Sequence, residues 1–281
     1  GDGFHSVDIS KNRKYLVDNY SRVDMAPVSE VRDMHGRKIM ALEKTDLRLL
    51  HETGWREPKR IKVKAADGIT DLYGVMYRPF GMDSTRKYPI IMNVYPGPQD
   101  NLVPQSFGID DNGNETLAQL GFIVVNVGFR GGCLTRGHHF HCFGYGNLRD
   151  YALADCKFVA EQLGDRYSFI DMNRVGIYGH SGGGFMAAAS ILTYPDFYKV
   201  AVAASGNHDN NIYTKWWGET YHGVKMNEKE KKYSFETKIP TNIELAKNLK
   251  GRLLLITGDM DINVHMAHTI RLADALINAN K

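Results

Sequence analysis

The residues with the clearest chemical potential lie between Arg174 and Ala189, in Arg-Val-Gly-Ile-Tyr-Gly-His-Ser-Gly-Gly-Gly-Phe-Met-Ala-Ala-Ala. A short apolar strand, Val175 to Tyr178, leads into Gly179-His180-Ser181-Gly182-Gly183, and a helix-forming run, Phe185 to Ala189, follows. This is a G-x-S-x-G pattern in the strand-turn-helix context that gives the motif its meaning. A sharp turn of this kind puts the serine in strained backbone geometry, so the residues two positions away must lack side chains. Gly179 and Gly183 meet that demand, and the turn lifts the Ser181 hydroxyl to the amino end of a helix, where developing negative charge is favoured. A phosphate cradle is excluded because neither G-x-x-x-x-G-K nor G-x-G-x-x-G occurs. Ser181 is therefore the candidate nucleophile.

A serine hydroxyl attacks only when a base takes its proton, and the base must be held by a third group. When the serine sits on such an elbow, the acid follows it in the chain and the histidine follows the acid. The strand-like Leu253-Leu254-Leu255-Ile256 runs into Thr257-Gly258-Asp259-Met260-Asp261, which offers two aspartates at a strand's carboxyl end. Either could instead cap the helix that follows.

The elements that must position these groups can be read from the pattern. From Tyr88 onward apolar strands alternate with helical segments. Pro89 to Tyr95 and Phe122 to Val127 read as buried strands, with a helix from Asn114 to Leu120 between them. Leu148 to Leu163 reads as a helix, Lys199 to Ala204 and Arg252 to Thr257 as strands, and Ile243 to Leu249 as a helix. Val264 to Ile277 reads as a further helix, with Met266, Ile270, Ala273 and Ile277 on one face. Such alternation argues an α/β fold with a mostly parallel sheet and helices on both faces. Earlier, Ile61 to Ala65 and Leu72 to Tyr77 flank Ala66-Asp67-Gly68, a hairpin signature. Residues Phe4 to about Leu50 read as short β elements, with Ala26-Pro27 as a break and a turn signal at Arg32 to Lys38. Asn227 to Lys232 reads as a solvated loop.

Composition narrows the class. The 281 residues are 43% apolar and 24% charged with a net charge of +3, ordinary for a globular protein with one large core and a small appendage. No basic block points to nucleic acid, and no apolar run approaches a membrane span. Cys133, Cys142 and Cys156 are too few for a disulfide framework and too irregularly spaced for a zinc site. In His138-His139-Phe140-His141-Cys142, adjacent histidines rarely converge on one ion and no carboxylate spacing supports them, so a rim loop is expected there and no metal. No cofactor is implied.

Three motifs in order resemble one family. Gly258-Asp-Met-Asp261-Ile-Asn263-Val264-His265 is similar to the G-x-x-D-x-N-V-H segment of the dipeptidyl peptidase IV branch of the prolyl oligopeptidase family. Asn93-Val94-Tyr95-Pro96-Gly97-Pro98 resembles its V-Y-x-G-P motif, and Phe129-Arg130-Gly131-Gly132 with Arg136-Gly137 resembles its G-R-G-x loop. The resemblance implies an α/β-hydrolase fold and a serine exopeptidase that releases dipeptides from peptide N-termini through an acyl-enzyme. It assigns the triad acid to Asp261, an oxyanion-hole hydroxyl to Tyr95 beside the Gly182 N–H, and a substrate carbonyl contact to Asn263. Tyr213, Trp216, Trp217 and Val264 fall where the family walls its substrate pocket, which is expected to accept small apolar residues, proline or alanine preferred. Proline-specific members often carry an aromatic residue directly after the nucleophile; Gly182 stands there in this chain and leaves the pocket wider. An acyl-aminoacyl peptidase or esterase using the same machinery, or a silent α/β-hydrolase binding module, are the alternative readings.

Through the same resemblance, residues 1–54 look like the last blade of a β-propeller and its linker, and residues 55–281 like the catalytic domain. The family places its histidine after one more helix and strand beyond the acid. The chain ends at Lys281, so the fold is expected to stop before its final strand, to leave a sheet edge unpaired, and to lack its base and most of its activity as it stands. His265 and His268 are the histidines that follow the acid, and either could reach it near the start of the helix, but the resemblance makes His265 a neighbour of the pocket and not the base. A peptide substrate, no nucleic acid and no membrane span follow, a homodimer is compatible, and the family suggests a periplasmic, cell-envelope or secreted setting.

Overall fold

A computed structural model describes residues 2–98, 100–229 and 232–281. The N-terminal strands β1 (Phe4–Ile9), β2 (Tyr15–Arg22), β3 (Met25–Asp33) and β4 (Lys38–Lys44) form an antiparallel meander in chain order. Pro27 does not break the chain: β3 runs through it, because the β2–β3 register shifts between Tyr20 and Arg22 and the exposed proline sits beside that irregularity. A proline is tolerated in a strand where no ladder donor is needed. The turn expected at Arg32 to Lys38 forms, with Gly36 at φ +80°. This small sheet is held by charge more than by apolar packing. The buried carboxylate of Asp18 meets His5 at 2.8 Å and Arg32 at 3.1 Å, and buried Glu30 meets Arg32 at 2.8 Å and Lys38 at 2.6 Å.

A short helix α1 (Arg48–Glu52) leads to the hairpin β5 (Lys59–Lys64) and β6 (Asp71–Tyr77), then to β7 (Tyr88–Asn93), α2 (Asn114–Gln119) and β8 (Ile123–Val127). Next come α3 (His138–His141), α4 (Leu153–Arg166), β9 (Ile170–His180), α5 (Gly182–Thr193), β10 (Tyr198–Ala204) and α6 (Lys215–Tyr221). A hairpin of β11 (Lys225–Lys229) and β12 (Lys232–Glu236) stands where a solvated loop was expected; Glu230 and Lys231 lie outside the described residues. The backbone register pairs Met226 with Phe235 and Glu228 with Tyr233 across the charge run. Finally β13 (Arg252–Ile256) and α7 (Ala267–Asn278) complete the described chain.

The central sheet has seven strands in the order β13-β10-β9-β7-β8-β6-β5. The four consecutive pairs from β13 to β8 are parallel, and only the β6 and β5 end is antiparallel. Alternation along the strands divides the packing. Ile123 and Val125 of β8 join Met186 of α5 and Val159 of α4 in one core, whereas Val124 packs with Ala118 of α2 on the other side. Helices thus cover both faces. On the α2 face, Val200, Leu254 and Ile256 remain about half exposed, and β13 is a terminal strand of the sheet order, in line with an unpaired edge. The small sheet attaches through Val23, which packs with Val75 and Tyr77, and Trp55 follows, its indole N–H donating to Glu115 at 3.1 Å.

Candidate active site

Three strand ends align at one edge of the sheet. In register, His180 of β9 lies opposite Ala204 of β10, and Ala204 opposite Ile256 of β13. The next residues stay locked together. The Ser181 N–H donates to the Ala204 carbonyl and the Ser205 N–H to the Ile256 carbonyl, both at 2.8 Å. Parallel strands place ligand-facing residues beyond their carboxyl ends, and here that edge carries Ser181, Ser205 and the loop holding Asp261.

Ser181 has φ 54° and ψ −121°, an unfavourable region for a residue with a side chain. The glycines explain why it persists. A Cβ on Gly179 would stand 2.4 Å from the Gly183 carbonyl carbon, and one on Gly183 only 2.0 Å from the Val94 carbonyl oxygen. Gly184, which the motif does not include, is equally constrained: its Cβ would meet the Ala204 carbonyl oxygen at 2.5 Å. Helix α5 begins at Gly182, so its first free N–H groups face the space above the serine.

Tyr95 stands across from the nucleophile. Its ring folds back so closely over the chain that a Cβ on Gly97 would fall 2.4 Å from Cε1. Burial raises the pKa of the phenol, and hydrogen bonding with Ser181 only partly offsets this, so Tyr95 stays protonated and able to donate.

Asp261 is held by its own turn. Its Oδ1 accepts the N–H groups of Asn263 and Val264, each at 2.9 Å, and these bonds hold its carboxyl below the usual range. The Ser205 side chain and the charge of His180 act in the same direction. Asp259, by contrast, is exposed. Asn263 then accepts the Tyr213 hydroxyl at 2.8 Å, and Tyr213 meets the edge of Trp217 with ring centroids 5.5 Å apart.

A cleft of about 110 Å³ joins Ser181, Tyr95 and Asn263, and Asp261 does not line it. Of the residues expected at the site, Ser181, Gly182, Tyr95, Tyr213, Trp217 and Asn263 line it. Val264 is buried and meets Asp261 through its backbone, while Trp216 is 63% exposed; neither lines the cleft. His265 is exposed and accepts the Ala267 N–H at 3.2 Å through Nδ1, and His268 is buried with its Nδ1 accepting the Asp209 N–H at 3.3 Å. Neither lines the cleft among the described residues. His138 to His141 form the short helix α3, and no group of three or more metal-binding side chains occurs among the described residues.

The sequence reading did not anticipate Leu148, Arg149, Tyr151, Phe185, Met186 and Asn207 in the wall. The helix expected from Leu148 is continuous only from Leu153, as α4; residues 148–152 form turns in which the Leu148 N–H donates to His222 and the Asp150 and Tyr151 N–H groups donate to the Asn147 carbonyl. Leu148, Tyr151 and Ala152 of that turn belong to the main core and also line the cleft. Tyr151 is clamped there: a Cβ on Gly131 would lie 2.3 Å from its ring and one on Gly144 3.0 Å. The glycines of the Arg130-Gly131-Gly132 loop were the available signal. The same loop is anchored by Arg130, which donates to fully buried Asp155 at 2.8 and 2.6 Å and to Asp67 at 2.7 Å.

A strained serine at a strand-helix turn, in a mostly parallel sheet covered on both faces, defines the chain as an α/β-hydrolase fold with a nucleophile elbow. The comparison with known sequences narrows this. The chain belongs to the prolyl oligopeptidase family, whose profile matches residues 110–281. It is 31% identical over 289 aligned residues to human dipeptidyl peptidase 8, covering 99% of this chain and 31% of that protein. Among solved structures, Porphyromonas gingivalis dipeptidyl peptidase 4 superposes with a TM-score of 0.79 at 26% identity, covering 99% of this chain and 38% of that one. A Bacteroides ovatus protein of the dipeptidyl aminopeptidase IV type reaches a TM-score of 0.84 at 28% identity, covering 100% and 39% respectively. The chain therefore spans about a third of the length of these relatives. Among the described residues, no helix is long and apolar enough to cross a membrane.

Proposed function

We propose that this chain is the catalytic part of a serine exopeptidase of the dipeptidyl peptidase IV type. The observation that carries the reading is Ser181 at positive φ with the half-buried, protonated Tyr95 phenol hydrogen-bonded to its hydroxyl. Ser181 Oγ attacks the carbonyl of the second residue of a peptide, and its proton passes to a base oriented by Asp261. The oxyanion is held by the Tyr95 hydroxyl and the Gly182 N–H, donors fixed before the charge develops. The C–N bond then breaks, the base returns its proton to the leaving amine, and water releases the dipeptide from the acyl-enzyme. Asn263, itself bonded to Tyr213, is in place to meet a substrate carbonyl through its amide nitrogen. No step requires a cofactor. The names of the relatives above support a peptide substrate, and the division into a propeller-derived segment, 1–54, and a catalytic domain, 55–281, belongs to the same reading. So does a homodimer, which sedimentation of the full-length protein checks.

The test is a fluorophosphonate probe on the full-length protein, followed by a dipeptide-release assay. Labelling at Ser181, release of dipeptides from free N-termini, and a loss on the order of a million-fold in Ser181→Ala are expected. Absence of labelling favours the silent binding module. Release of N-acylated amino acids in place of dipeptides favours the acyl-aminoacyl peptidase.

A further inference from the structure

The wall of the cleft beside the nucleophile is open on one side, and the opening has a single cause. At Gly182 an added Cβ would meet only Tyr95 Cζ, at 3.8 Å, with nothing else within 4 Å. Every other glycine of the elbow is closed: Gly179, Gly183 and Gly184 would each place a Cβ within 2.5 Å of backbone. Gly182 is thus not required by the turn. Its missing side chain leaves space in the cleft, next to the serine. Leu148, Tyr151, Phe185 and Met186, each no more than 8% exposed, line the same cleft, as do Trp217 and the polar Arg149 and Asn207. Met186 is the adaptable member, an unbranched side chain that fits irregular apolar partners.

From this geometry we infer that the pocket for the residue at the cleaved bond takes an apolar side chain larger than proline, such as leucine, methionine or phenylalanine, and that Gly182 is the specificity-determining residue that admits it. The inference rests on the exopeptidase reading and revises the expected preference for proline or alanine. A small rigid ring beside Gly182 leaves apolar wall unfilled, whereas a longer side chain covers Leu148 and Met186. Filling such a pocket by one or two carbons changes kcat/KM by about tenfold or more.

The experiment uses the full-length protein with a panel of dipeptidyl-coumarin substrates, Val-Leu, Val-Met, Val-Phe, Val-Pro and Val-Ala. Leucine, methionine and phenylalanine substrates are expected to exceed the proline and alanine ones in kcat/KM by about tenfold. Gly182→Ala should narrow that ratio and Gly182→Phe should invert it, since the new side chain occupies the opening. A wild-type preference for proline or alanine overturns the inference, as does a ratio that Gly182→Phe leaves unmoved. Binding without turnover gives the second measurement: calorimetric titration of Ser181→Ala with free Val-Leu, Val-Phe and Val-Pro should keep the same order, and equal or reversed affinities overturn it. The two readings fail separately. Cleavage after proline alone sinks the inference and leaves the exopeptidase standing, while the predicted binding order without any Ser181-dependent cleavage sinks the exopeptidase and leaves the pocket assignment standing.

Discussion

The proposed nucleophile and acid follow β9 and β13, two strands separated by β10, yet they are held in opposite ways. Ser181 is strained, and its conformation is imposed from outside by three glycines pressed against Val94, Ala204 and each other. Asp261 takes its position from inside its own turn, Asp261 to Val264, through two backbone N–H donors. A strained group needs a rigid, non-local frame, because local hydrogen bonds cannot offset a cost of about 1–3 kcal/mol on their own. A carboxylate needs only donors, and a turn supplies them within its own residues. The nucleophile should therefore be sensitive to packing and the acid to charge.

The sharpest test of that contrast is Asp261→Asn. The new Oδ1 can still accept the Asn263 and Val264 N–H groups, so the turn and the melting temperature should stay close to wild type. Turnover of the full-length protein should fall about 10⁴-fold, as when a triad acid loses its charge but keeps its geometry. A melting temperature that drops with the activity would mean the turn, and not the charge, was lost.

Tyr95→Phe removes one donor and little volume. We expect kcat for dipeptide release to fall by about 10²–10³ with KM changed far less. Unaltered turnover would remove Tyr95 from the oxyanion hole.

Gly183→Ala tests the frame. Its Cβ would overlap the Val94 carbonyl, a backbone atom that can yield only with β7, so a stability loss of about 1–3 kcal/mol is expected in chemical denaturation. Gly182→Ala, at an open position, should cost much less. Equal losses at the two sites would contradict the account of the elbow.

The smallest effect concerns the loop between the two groups. Burial holds His208 neutral, its pKa pushed down to about 3, and lowers that of His268 as well. The unfolded chain binds these protons near pH 6.5 and the folded chain does not. Stability is therefore full above pH 6.5 and declines as pH falls toward 3. His208 alone should contribute a loss of about 1.4 kcal/mol on going from neutral pH to pH 5.5. His208→Gln should flatten that part of the denaturation profile, and an unchanged profile would show that the loop opens to protons while folded.

Much of this was legible in the residues. Strand-helix alternation from Tyr88, the hairpin at Asp67-Gly68 and the strained Ser181 all follow from local rules, since a period, a turn residue or a glycine spacing acts over a few positions. The errors have an equally local origin. Pro27 reads as a breaker until the β2–β3 irregularity beside it is seen, and the charge run at Asn227 reads as a loop until the alternating partners Met226–Phe235 and Glu228–Tyr233 pair across it.

The sequence by itself determined the type of sheet, the elbow that carries Ser181 and the two aspartates among which the proposed acid falls. Glycine spacing excludes side chains wherever the backbone goes, so the elbow needs no knowledge of its partners. Tertiary structure alone decided which side chains wall the cleft. The Leu148 N–H is tied to the distant His222, and Tyr151 keeps its place on the wall because Gly131 and Gly144 leave room for its ring. Trp216 and Trp217 are adjacent in sequence, yet helix α6 turns one to solvent and the other to Tyr213. Which neighbour faces the serine depends on the packing of segments up to a hundred residues apart, for example the bond from Asn242 to the Phe185 carbonyl beneath α5. No local pattern carries that information.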